Sequence, residues 1–138
     1  MESIVLEPLT EFFDAIRSPV TKDRYQRRLG LFFKFLKIEG DLKAQAREFT
    51  SRAKKEPDWA TFQINEYMRF HKSRAEKGEI SESTLPGFWK PIKLFCEQND
   101  LILNWKKILR RIPTGRNYAN DRAPTREEIQ KILHYLTL

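Results

Sequence analysis

The sequence is poor in the residues that cross-link proteins or bind metal ions. Its 138 residues include one cysteine, two histidines and five glycines. Cys96 cannot form an intrachain disulfide, which is typical of a protein from a reducing compartment, and its apolar helical face predicts a small core residue. His71 and His134 lie in no cluster with ligand spacing, so we expect neither a metal site nor a cofactor. The lack of a glycine-rich phosphate loop excludes nucleotide hydrolysis.

Long apolar segments are also missing. No apolar run approaches the ~20 residues that a transmembrane helix needs, so we expect no membrane association. The N-terminus carries Glu2 and Glu7 where a secretory signal would carry lysines and a long apolar core. The composition is 40% hydrophobic, 12% aromatic and 33% charged, which is typical of a folded, soluble domain. We therefore expect a cytoplasmic protein.

Positive charge is concentrated in two blocks. The net charge is +7, and residues 17–37 contain seven bases and one acid, whereas residues 90–122 contain eight bases and three acids. Residues 38–89, between these blocks, contain nine of each. Two basic blocks separated by a neutral one favour a folded surface that presents both to a polyanion. The alternative is that the cations only cover solvated helix faces.

The spacing of apolar residues is helical almost throughout, and no run alternates as a strand would. The sequence therefore predicts an all-α fold, a compact bundle of about four to six helices. A bend is expected at Pro91, because proline removes one backbone hydrogen bond. The helices are expected at residues 8–16, 18–40, 41–56, 58–78, 81–97 and 104–108.

The second helix shows the clearest division into two faces. The apolar stripe that should be buried contains Tyr25, Leu29, Phe32, Phe33 and Leu36. The other face carries Arg24, Arg27, Arg28 and Lys34. Leu31 and Phe35 lie among these cations, which predicts that this face touches something besides solvent. His71 belongs to the inward stripe of the fourth helix, where we expect a core or boundary residue.

The last part of the chain differs from the rest. Residues 112–124 show no periodicity and are rich in turn-forming residues, which predicts a linker. Thr125 and Glu128 form a capping box, and the helix that follows has nothing after it to pack against. The predicted domains are thus 1–111, a helical domain, 112–124, a basic linker, and 125–138, the first helix of a second domain that is missing from this chain.

Three groups of residues are candidates for contact with nucleic-acid phosphates. The first lies at the start and on the outer face of the second helix: Ser18, Thr21, Arg24, Arg27, Arg28 and Lys34. The second lies on the fifth helix, roughly opposite its apolar stripe: Ser83, Gly87, Lys90 and Lys93. The third begins in the sixth helix and crosses the linker: Lys106, Lys107, Arg110, Arg111, Arg116, Tyr118 and Arg122.

For each group there is a physical reason to expect contact with phosphates, and for two of them there is also an explanation that involves no nucleic acid. Cations one helical turn apart can meet successive phosphates, and hydroxyls and free amides at a helix N-terminus donate hydrogen bonds to them. Gly87 has no side chain to hold a duplex away, although it would also relieve crowding against Pro91. A basic linker can wrap nucleic acid, although it can also be merely solvated.

The order of these motifs resembles the core-binding, SAM-like domain of phage integrases and other tyrosine recombinases. The opening helix of that domain is similar to Ser18-Pro19-x-Thr21-x-x-x-Tyr25-x-x-x-Leu29-x-x-Phe32-x-x-Phe35-Leu36. Its later DNA-facing helix is similar to Ile80-Ser81-x-Ser83-Thr84 followed by Ile92-Lys93-x-Phe95. Three further segments are most similar to archaeal chromosomal integrases: Asn99-Asp100, Asn104-Trp105-x-x-Ile108 and Tyr118-x-x-Asp121-Arg122-Ala123-Pro124-Thr125-x-Glu127-Glu128-Ile129. The resemblance extends from Ser18 to the end of the chain.

The resemblance implies duplex DNA as partner, gripped by an N-terminal half-clamp that a linker joins to a catalytic half on the opposite side. It also implies other recombinase protomers on paired sites, DNA integration as a role, and a nucleoid location when DNA is bound. The catalytic arginines, lysine, histidines and tyrosine of the family lie in the second half, so Tyr118 and Tyr135 are not the nucleophile and this chain is not expected to be an enzyme. The alternative function is a helical protein-interaction module without a role on DNA.

Overall fold

The computed structural model describes residues 6–113, which fold into six α-helices and one short 3-10 helix with no strand among them. This confirms the predicted all-α class and a bundle of about six helices. The predicted linker beyond Pro113 and the helix at 125–138 lie outside the described residues. The helices are α1 (Pro8–Asp14), α2 (Pro19–Phe35), α3 (Leu42–Lys55), α4 (Pro57–Glu76), a 3-10 turn (Glu82–Thr84), α5 (Pro86–Gln98) and α6 (Trp105–Arg110).

Side-chain caps start three of these helices where the sequence placed polar residues. Ser18 Oγ accepts a hydrogen bond from the Thr21 amide at 3.3 Å, and Asp41 Oδ1 accepts one from the Ala44 amide at 2.9 Å. Asn104 Oδ1 accepts a hydrogen bond from the Lys107 amide in the first turn of α6 at 3.0 Å. Each cap satisfies one backbone donor that has no partner inside the helix.

The end of α2 was predicted wrongly. The helix stops at Phe35 rather than at Gly40, because the Ile38 amide turns back to the Phe33 carbonyl at 3.1 Å. Lys37 adopts a left-handed conformation with φ of 62° to allow this closure. Gly40, with φ of 106°, then turns the chain into α3. The sequence favoured the glycine as the terminator because a lysine seldom adopts positive φ.

The start of α5 also differs from the prediction. Instead of an α-helix from Ser81, the chain forms a 3-10 turn in which the Leu85 amide bonds to the Glu82 carbonyl at 3.1 Å. Pro86 has no N–H with which to continue an α-helical pattern from that carbonyl. Pro86 therefore becomes the first residue of a new helix, a position that suits proline.

Aromatic rings from four helices meet in the core. Phe12 of α1, Phe33 of α2, Phe49 of α3 and Phe95 of α5 are fully buried, and the Phe95 ring centroid lies 5.7–6.1 Å from each of the other three. These separations suit edge-to-face and tilted ring packing. The Asn99 side-chain amide adds two buried hydrogen bonds, to the Pro8 and Phe95 carbonyls at 3.1 and 3.0 Å.

The fourth and sixth helices complete the bundle. α4 packs against α3, α5 and α6, and its buried residues are those of the predicted inward stripe: Ala60, Ile64, Tyr67, Met68 and His71. α6 contributes buried Trp105 and Ile108. None of the helices in residues 6–113 combines the length and apolarity that crossing a bilayer requires.

Candidate nucleic-acid interface

The outer face of α2 forms a basic groove. Its cavity has a volume of about 560 Å³ and is open to solvent. The residues that line this groove are Arg24, Arg27, Arg28, Gly30, Leu31 and Lys34. All four cations that the sequence assigned to this face therefore come together in one depression of the surface. An ion pair of 2.9 Å joins Arg27 to Asp23, but both side chains are largely exposed, so the pair contributes little to stability.

The start of α2 is less available than the sequence predicted. The expectation was that Ser18 and Thr21, with free amides of the helix N-terminus, would offer donors to a phosphate. In the structure the Thr21 amide is already bonded to Ser18 Oγ, and the Lys22 amide to the Ser18 carbonyl at 2.9 Å. Pro19 has no N–H at all. The Val20 amide and the hydroxyl groups of Ser18 and Thr21 are the donors that this end of the helix has left.

The second group of candidate residues lies on the 3-10 turn and α5. A Cβ atom added to Gly87 would meet nothing within 4 Å, so packing within residues 6–113 does not require glycine at this position. Lys90 is exposed, while Lys93 forms an ion pair with Glu97 at 2.6 Å and has part of its charge compensated. Ser83 forms a short hydrogen bond with Ser81.

One contact joins the α2 groove to the start of α5. The Arg28 guanidinium carbon lies 4.4 Å from the ring centroid of Phe88, the residue that follows Gly87. The His71 imidazole stacks on the same ring at 3.7 Å and 10°. Because a parallel ring at that distance covers one face of Phe88, the guanidinium lies over the other. Arg28 of the first group thus lies beside the first turn of α5, which contains Gly87 of the second group.

The inner end of this stack is neutral. Burial, together with the nearby charges of Arg74 and Arg28, lowers the pKa of His71 to about 4. An Arg74 guanidinium nitrogen lies 3.1 Å from His71 Nδ1, and since arginine can only donate, this ring nitrogen accepts. Burial also raises the pKa of Tyr67, whose ring meets the imidazole edge-on at 4.5 Å, to about 12.

The third group is only partly described. Lys106, Lys107, Arg110 and Arg111 are exposed on and just after α6, which packs against α4. Arg116, Tyr118 and Arg122 lie outside the described residues. The structure therefore gives one contact between the element of the first group and that of the second, through Arg28 and Phe88, and places the described cations of the third group on and just after α6.

Cys96 and His71, both predicted to be core residues, lie in the core. Cys96 is fully buried, and burial raises the pKa of its thiol, so it is the small core residue that the sequence predicted. His71 is 4% exposed, which confirms its assignment to the core. In residues 6–113 no three His, Cys, Asp or Glu side chains come together as they would around a metal ion.

Sequence reasoning missed the part that Phe88 plays. Its place in the apolar stripe of the fifth helix predicted burial, but the spacing within one helix does not show which cation of another helix will cover it.

Comparisons of the chain with protein-family models, with curated proteins and with solved structures give no significant match.

The neutral His71 predicts a pH dependence of stability. Its pKa of about 4 in the folded state lies below the ordinary value of 6.5, so the unfolded chain binds the proton first. The stabilising contribution is complete above about pH 6.5 and is lost as the pH falls towards 4, by up to about 1.4 kcal/mol per pH unit. Urea denaturation across this range measures the effect. His71→Phe keeps an aromatic ring and should flatten the curve, whereas parallel curves would contradict the assignment.

Proposed function

We propose that this chain binds duplex DNA through the α2 groove and the start of α5. The observation that carries the proposal is the Arg28–Phe88 contact, because it brings a cation of the α2 groove next to the start of α5, where Gly87 was separately predicted to let a duplex approach. Duplex DNA is a polyanion whose major groove, about 12 Å wide, admits one α-helix. α2 has 17 residues, which at about 1.5 Å each gives a helix long enough to cross that groove.

The charge of the groove supports a polyanionic partner. Within residues 17–37 the single acid is Asp23, and it is bonded to Arg27. Arg24 and Arg28 are one turn apart on the same helix, a separation that lets both guanidinium groups reach phosphates along one strand. The open space at Gly87 lets a sugar-phosphate backbone approach α5 closely beside them.

In this proposal the bundle is a SAM-like core-binding domain and acts as the N-terminal half-clamp of a tyrosine recombinase. The chain grips DNA and contributes to target selection, and a catalytic half on the opposite side of the duplex cuts and rejoins the strands. Arg116 and Arg122, which follow in the sequence, are expected to add phosphate contacts. The proposal rests on the order of motifs in the sequence together with the geometry of the α2 and α5 surface.

A helical protein-interaction module is the competing function. The half-exposed Leu31 and Phe35 favour it, since apolar side chains do not contact phosphates. The dependence of binding on salt distinguishes the two, because neutralised phosphates release counterions, whereas apolar contacts with a protein do not.

The salt dependence is the first test of the proposal. For a half-clamp that meets on the order of four to eight phosphates, the logarithm of the affinity should fall with the logarithm of the salt concentration at a slope of roughly −4 to −7. Fluorescence anisotropy of a labelled duplex measures this slope. A flat dependence, or no binding of duplex at low salt, would favour the protein-interaction module.

Removing two cations from the groove tests which face binds. Arg24→Ala combined with Arg28→Ala should weaken duplex binding and make the salt slope shallower by about 2, because two phosphate contacts are lost. The thermal midpoint should stay within a few degrees, since the exposed Arg24 and one cation–π contact contribute little to stability. Lys54→Ala combined with Lys55→Ala removes the same charge from α3 and is the control. Equal losses of affinity in both pairs would show that only net charge matters.

Gly87→Ala separates binding from folding. The new methyl group has no neighbour within 4 Å, so the thermal midpoint should not fall. Duplex affinity should fall several-fold, because the Cβ atom holds the sugar-phosphate backbone away from α5. Calorimetry and anisotropy on the same preparation measure the two quantities. Unchanged affinity would mean that DNA does not approach this turn.

A further inference from the structure

Two exposed phenylalanines form a pair where α2 meets α4. The ring centroids of Phe35 and Phe70 are 5.6 Å apart, and the side chains are 37% and 49% exposed. Phe35 also packs edge-on against the buried Tyr67 at 5.1 Å, so the pair is anchored on its inner side. Its outer side is an aromatic surface that neither the bundle core nor phosphate contacts use.

This aromatic pair adjoins the basic groove. Leu31, which is 50% exposed, lines the groove and precedes Phe35 by one helical turn, a rise of about 6 Å. Lys34 is the chain neighbour of Phe35 and also lines the groove. The end of the groove that Leu31 and Lys34 line is therefore the end nearest to Phe35 along α2.

We propose that Phe35 and Phe70 are a stacking platform for unpaired bases of a DNA strand whose phosphates lie in the α2 groove. The inference rests on the proposed function and extends it to DNA that has a single-stranded end or gap beside the duplex. Paired bases stack on one another and present only their edges, whereas an unpaired base exposes a face that an aromatic side chain can cover. Cationic grooves flanked by aromatic side chains are the usual means of binding single strands.

The charge around the pair favours DNA over an apolar protein partner. Four cations line the groove beside it, and a wholly apolar partner would leave them desolvated without counter-charge. A strand of DNA provides both the phosphates and the apolar faces in one ligand. A protein partner would have to provide acidic and apolar side chains at the same spacing. A surface built for such a protein would not distinguish a DNA extension with bases from an abasic one.

A second exposed phenylalanine on α4, Phe62, provides a control for substitutions of Phe70. Phe62 is 58% exposed on α4, but among the described residues no aromatic ring packs against it, and it does not line the basic groove. Phe62→Leu and Phe70→Leu therefore remove the same ring from the same helix, and only the second removes half of the pair.

The experiment compares three labelled DNAs by anisotropy at one salt concentration: a blunt duplex, the duplex with a short single-stranded thymidine extension, and the duplex with an abasic extension of equal length. The two extensions carry equal phosphate charge, so their difference reports the bases alone. The wild-type chain should bind the thymidine extension at least about fivefold more tightly than the abasic one, the lower limit for one stacked base. Phe70→Leu should abolish this difference and leave blunt-duplex affinity unchanged, while Phe62→Leu and Phe70→Trp should retain both.

The outcomes separate this inference from the proposed function. Equal affinity of the wild type for the two extensions, or a difference that persists in Phe70→Leu, overturns the platform while leaving duplex binding in place. Absence of salt-dependent binding to the blunt duplex instead overturns the proposed function. Circular dichroism verifies that each variant is folded, and Phe35→Leu replaces Phe70→Leu if the latter unfolds.

Discussion

The position of Phe88 between Arg28 and His71 links three helices of the bundle beside the basic groove. The ring belongs to α5, the guanidinium to α2 and the imidazole to α4, so one side chain contacts residues of two other helices. The stack also runs from the core to solvent, because His71 is buried and the groove that Arg28 lines is open. An arginine held over an aromatic face keeps its N–H edges free while losing little conformational entropy on binding.

This arrangement constrains the charges around it. A protonated imidazole would stand between the guanidinium groups of Arg28 and Arg74, which lower its pKa in addition to burial. The buried side of the groove is therefore neutral and aromatic, and its positive charge is confined to the surface. Such a separation concentrates the field of the cations towards solvent, where a polyanion can reach it.

The faces of individual helices could be predicted from the sequence, whereas contacts between helices could not. The inward stripe of α4 matches the structure residue by residue, since helical spacing alone determines it. The end of α2 was missed because Lys37 takes a conformation that residue type alone assigns to Gly40. The Arg28–Phe88 and Phe35–Phe70 contacts join residues of different helices, and periodicity within one helix contains no information about which faces will meet.

The side-chain amide of Asn99 links two distant parts of the chain through its hydrogen bond to the Pro8 carbonyl, 91 residues away. A contact of such long sequence separation forms only after the intervening segments have collapsed, because closing so large a loop costs entropy before any contact offsets it. The bond between Asn99 and the Pro8 carbonyl therefore closes a loop that contains α2, α3 and α4, and it ties the start of the first helix to the end of α5.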